Sequence, residues 1–136
     1  MSIHHIVMFR FKADASAEAV QETCTRLLGL KDACLHPSTA SPYIKSAVGG
    51  RDNSIEGLQV RARSAPVLVL HHCPPADGKL QSGITHVFVL EFESAADRDH
   101  YVNEDLAHRK FVETFITGPS GVVAQANVVD FTPGAF

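Results

Sequence analysis

The stretch at residues 84–94, ITHVFVLEFES, constrains the fold more than any other part of the chain. It alternates strictly. His86, Phe88, Leu90 and Phe92 fall on one side, and Thr85, Val87, Val89, Glu91 and Glu93 on the other. Successive side chains of a strand point to opposite faces, so the pattern predicts a half-buried β-strand. Its apolar face carries an unexpected histidine, His86.

Residues 3–12, IHHIVMFRFK, repeat the arrangement. Ile3, His5, Val7, Phe9 and Phe11 form an apolar face, again with a histidine on it. The opposite face, His4, Ile6, Met8, Arg10 and Lys12, is mixed. From Ala17 the period becomes helical, through Val20, Cys24, Leu27, Leu28 and Lys31. Asp14 or Ser16 can cap this helix, and it should end near Cys34–Leu35, before His36-Pro37. YIKSAV at 43–48 reads as a short strand closed by Gly49-Gly50. Ser94 can cap a helix running to about Val102, and Asp105 a second segment. In that segment Ala107, Phe111 and Phe115 are spaced by four, with His108, Val112 and Ile116 alongside. Gly118-Pro119 ends it, and VVAQANVVDF at 122–131 is the last strand.

Residues 60–81, VRARSAPVLVLHHCPPADGKLQ, do not fit this order. They hold three of the seven prolines, a cysteine and two histidines. Without them EGLQ would join SGITHVFV in a short strand-to-strand connection. Long structureless loops are uncommon in compact domains. The segment is therefore expected to be an insertion, such as a retained in-frame intron or a gene-model error, or a disordered loop or extra hairpin.

Strand, helix, strand, strand, helix, strand is an α+β order, the ferredoxin-like βαββαβ unit with a four-stranded antiparallel sheet. A chain of 136 residues suits one domain, here 1–136. Both helices would cover one sheet face. The other would be left apolar and open, which favours two sheets facing each other in a homodimeric α/β barrel.

Net charge −3 with scattered basic residues argues against a nucleic-acid partner. The sequence contains no apolar run long enough to cross a membrane as a helix. Three cysteines, Cys24, Cys34 and Cys73, without metal-like spacing suit free thiols in a reducing compartment. The start of the sequence has no basic-then-apolar leader pattern, so the expected location is the cytoplasm.

The segments IHHIVMFRFK, GITHVFVLEFES, DRDHYVNEDLAH and VVDFTPG together resemble the stress-responsive dimeric α/β-barrel family. The resemblance, closest to its fungal members, implies a ferredoxin-like protomer, a barrel dimer and a cavity. The family includes plant heat-stable stress proteins and a plant polyketide cyclase that forms olivetolic acid. In that cyclase a first-strand histidine, a third-strand histidine, a tyrosine and the histidine of a Pro-Ala-His segment line the pocket. His5, His86, Tyr101 and His108 stand at the matching positions here. One extra residue separates Tyr101 from the later motif, and Leu106 replaces the proline.

The expected function is binding of a small, largely apolar molecule in a histidine-lined cavity. Its lining would be His5, Val7, Phe9, His86, Phe88 and Phe111. A cofactor-free cyclase or lyase acting on a polyketide-like substrate is the alternative, with His108 as base and Tyr101 as orienting acid. Each histidine also has a structural reading, as a core residue bonded to backbone, and Tyr101 one as a packing residue. A metal-binding stress protein is the third reading, because the chain has eight histidines. Neighbours in a strand point opposite ways, so His4 and His5 cannot easily share an ion. His71-His72-Cys73 is a soft-metal cluster within the suspect segment. No cofactor and no specific metal site is expected.

Overall fold

The computed structural model describes residues 1–55 and 83–136. The suspected insertion at 60–81 lies outside these described residues. The elements are β1 (Ile3–Phe11), α1 (Ala17–Ala33), β2 (Ile44–Arg51), β3 (His86–Phe92), α2 (Ala95–Asn103), α3 (Leu106–Val112) and β4 (Val123–Phe131), with a π-helical turn at Glu113–Thr117 continuing α3. The strands form one antiparallel sheet in the order β2-β3-β1-β4. This is the ferredoxin-like arrangement.

The helices start where the sequence supplies caps. The Ser16 hydroxyl accepts from the Ala19 N–H, and the Ser94 hydroxyl from the Asp97 N–H. Each satisfies a donor that the first turn leaves without a partner. The core lies between sheet and helices. It joins Val7 and Phe9 of β1 and Phe88, Leu90 and Phe92 of β3 to Leu27 and Leu30 of α1 and Phe111 of α3. These are the positions that strand alternation and helical spacing assign to one side.

Two features differ from the sequence expectation. Gly49-Gly50 does not close β2. The strand continues through both glycines to Arg51, which pairs with His86. A Cβ on Gly49 would stand 2.3 Å from Phe88 Cδ1 and 2.8 Å from the Val87 carbonyl oxygen. The missing side chain lets the Phe88 ring lie against β2, so the glycine serves packing rather than a turn. Past Val112 the helix widens, and the Thr117 hydroxyl donates to the Val112 carbonyl five residues back. Phe111 is buried, whereas Phe115 and Ile116 are half-buried.

Candidate functional site

The antiparallel register of β1 and β4 sets His5 opposite Asp130. His5 is only 4% exposed. Its Nδ1–H donates to Asp130 Oδ1 at 2.6 Å. The other oxygen of Asp130 accepts from Arg98 of α2. The carboxylate thus bridges an imidazole and a guanidinium, fixes the ring, and leaves Nε2 as the basic nitrogen. No described residue hydrogen-bonds that Nε2.

Tyr101 of α2 packs against His5 with ring centroids 5.7 Å apart, and against His108 of α3 at 4.0 Å. Tyr101 is 2% exposed. Burial, reinforced by the nearby Cys34 and Asp105, pushes its phenol above the ordinary tyrosine range. It therefore stays a neutral donor. Burial lowers the His108 pKa, and the neighbouring His5 lowers it further. Asp105 and a hydrogen bond with the Tyr101 backbone oppose the shift without cancelling it. The fold thus brings together His5, Tyr101 and His108, two imidazoles flanking a phenol. His108 is half-buried and is the member of the three most open to solvent.

His86 lies elsewhere. It pairs with Phe9, whereas His5 pairs with Leu90. That offset is four residues of strand, roughly 13 Å. His86 shares a hydrogen bond with the Thr85 hydroxyl at 2.9 Å and packs edge-on against Phe11. Val7, Phe9, Phe88 and Phe111 are buried in the core. Phe9 packs on Phe88 and Phe111 on Phe115.

Sequence reasoning missed the roles of five residues around the three. Asp130 and Arg98 hold His5. On the other side, Asp105 accepts from the Tyr43 hydroxyl at 2.8 Å and from the backbone N–H groups of Ala107 and His108 at 2.8 and 3.0 Å. The Cys34 thiol lies close to this carboxylate. Burial alone would raise the Asp105 pKa, but the hydrogen bonds outweigh it and hold the group below the usual aspartate value. Burial, then the Asp105 charge, pushes the Cys34 thiol up, so it stays protonated. Burial and donation to Asp105 do the same for the Tyr43 phenol. Asp105 was legible as a cap; its buried partners were not. Asp130 alone left a trace, a carboxylate on the strand face that also carries Ala126 and Val128.

An open cavity of about 290 Å³ lies beyond Tyr43, lined also by His36, Lys45, Glu93 and Asp97. Tyr43 belongs to both places. Its ring borders the cavity and its hydroxyl reaches Asp105. Among the described residues no group of three or more His, Cys, Asp or Glu is arranged to hold a metal ion. The pair His71-His72 and Cys73 lie outside them. No described helix is long and apolar enough to cross a membrane.

The depressed histidines predict an acid limb in stability. His86, like His108, is shifted down by burial, and then by Arg51. The unfolded chain protonates these groups as pH falls through about 6.5, while the folded chain resists. The unfolded state then binds more protons, so stability drops below about pH 6.5 and is flat above it. Each group can contribute at most about 1.4 kcal/mol per pH unit inside its window, half-buried His86 less. Urea unfolding as a function of pH measures this, and His108→Gln should shallow the limb.

No curated protein matches the chain. Solved structures do. A protein of Arabidopsis thaliana is 22% identical, with TM-score 0.67, covering 98% of this chain and 97% of its own. The hydroxynitrile lyase of Passiflora edulis is 18% identical, with TM-score 0.65 and coverage of 99% and 96%. A dimeric ferredoxin-like protein of unknown function from Jannaschia sp. CCS1 is 15% identical, with TM-score 0.59 and coverage of 97% and 99%. At these identities the likeness is one of fold. The model of the stress responsive A/B barrel domain (Dabb) matches residues 3–72, more than half of the chain, and the chain belongs to that family.

Proposed function

We propose that this protein is a cytoplasmic homodimer that takes a small, largely apolar carbonyl compound or its adduct against His5, Tyr101 and His108, and moves a proton on it without a cofactor. The observation that carries the reading is His5. A nearly buried imidazole aligned by Asp130, itself held by Arg98, has the orientation a general base needs, beside a neutral phenol that can donate to a developing oxyanion. His5 thus has the carboxylate partner that His108 lacks, which favours His5 as base and His108 as second acid–base group.

The homodimer rests on the uncovered sheet face. His4 lies there, stacked on Phe131 with ring centroids 4.9 Å apart. Its Nδ1 is buried without a partner among the described residues. A facing sheet would complete that face, and the ferredoxin-like protein of Jannaschia sp. CCS1 is dimeric. Cys24 and Cys34 are free thiols, in keeping with a reducing compartment.

The Passiflora edulis lyase suggests a first substrate class, a hydroxynitrile (cyanohydrin). His5 would take the hydroxyl proton. The freed electron pair forms the C=O bond as the C–CN bond breaks, and cyanide leaves with its pair and accepts a proton. Mandelonitrile with wild-type protein should release benzaldehyde above the solution background. His5→Ala should slow the release by about 10²-fold or more, the usual contribution of a positioned base. No release, or equal release by the variant, would refute the cyanohydrin reading. The second reading is aldol closure of a poly-β-keto chain by the same base. It is favoured by Tyr101, whose neutral phenol can protonate an enolate oxygen, and is assayed with a poly-β-keto thioester.

A further inference from the structure

We propose that Asp105 is a positioning residue for His108: one buried carboxylate clamps the start of α3 and the Tyr43 hydroxyl, and so holds the imidazole over Tyr101. It extends the reading above in treating His108 as part of the working site.

The argument begins with how completely Asp105 is bound. It is 6% exposed. Oδ1 takes the Ala107 and His108 N–H groups and Oδ2 takes the Tyr43 hydroxyl, with Cys34 close by. A carboxylate buried this far persists as an anion when its lone pairs are filled. These donors come from two places, the residue before β2 and α3. Asp105 therefore fixes the relation between α3 and the rest of the core at the point where His108 leaves the backbone. The His108 imidazole is held independently at its other end against the Tyr101 ring, with centroids 4.0 Å apart. Clamped at the main chain and at the ring, it has little freedom to turn. The groups that act on it electrostatically are His5 from β1 and Asp105 itself.

A simple helix cap needs only an acceptor, and asparagine serves about as well as aspartate. The charge is what an asparagine removes. The test is NMR of the His108 ring in the full chain, observing its Hε1 signal through a pH titration. In the wild type the stacked Tyr101 ring should move that signal upfield. Asp105→Ala should abolish the upfield displacement, and Asp105→Asn should restore it. In Asp105→Asn the His108 midpoint should nevertheless move to lower pH, because the carboxylate that favours the imidazolium is gone. The His86 midpoint should stay in place as an internal control. An unchanged His108 midpoint in Asp105→Asn, or an upfield shift that survives in Asp105→Ala, overturns the proposal. Should these variants not fold, Tyr43→Phe keeps both cap and charge and removes one donor. It strengthens the carboxylate's field, so the His108 midpoint should rise, and no movement overturns the proposal. These readouts need no turnover. Absence of mandelonitrile cleavage would end the cyanohydrin reading while leaving the role of Asp105 to be decided by the titration.

Discussion

A carboxylate at the centre of the uncovered sheet face, introduced as Val89→Asp, is expected to turn a dimer into a monomer at micromolar concentration. Val89 pairs with Ile6 on one side and Val48 on the other, and Ile6 pairs with Val129. Val48, Val129 and Phe131 are 60%, 51% and 44% exposed in the single chain. An apolar surface running across all four strands is what two sheets bury on meeting. A two-fold interface contains the substitution twice. Each unpaired charge left in a dry interface costs about 3 kcal/mol or more. The two together weaken the dimer by at least about 10⁴-fold. Sedimentation velocity reads the state directly, and far-UV circular dichroism should be unchanged because the helix side is untouched. A wild-type monomer, or a variant that remains dimeric, would contradict the homodimer.

The sequence revealed the elements better than the contacts between them. Alternation in β1 and β3 is visible because both strands bury one face and leave the other open, so every second residue had to be apolar. The caps Ser94 and Asp105 were visible because capping is a local interaction. Register is not local. His5 and His86 each stand third in the alternating sequence stretches 3–12 and 84–94, and only the pairing of β1 with β3 shows that one meets Leu90 and the other Phe9. The same limit hid Asp130, which is separated from His5 by nearly the whole chain and joined to it by register. Cys34 has the spacing of a helical core residue and is buried like one, yet its thiol lies close to a carboxylate. Gly49 misled for a different reason. Glycine pairs usually punctuate turns, and this one is needed inside a strand because Phe88 occupies the space a side chain would take.

Phe88→Ala should cost about 3–5 kcal/mol, at the high end of that range. Phe88 is 1% exposed, and its ring packs on Phe9 at 5.5 Å. A core recovers part of such a loss by letting neighbours relax into the void. Here one wall is Gly49, which has no side chain to move, so most of the cavity should persist. For a domain with a total stability of about 5–15 kcal/mol, the loss is a large fraction of the whole. It corresponds to a fall of roughly 15 °C in melting temperature. The urea midpoint should drop with an unchanged slope, since the same surface is exposed on unfolding. Folded Phe88→Ala should still sediment as a dimer, because its side chain points toward the helices. Val89→Asp, one residue along the same strand, should do the reverse and lose the dimer while the fold persists. Opposite outcomes at adjacent positions follow from strand alternation alone. If Phe88→Ala instead dissociated the dimer at unchanged stability, the assignment of faces, and with it the placement of His5 on the helix side, would be wrong.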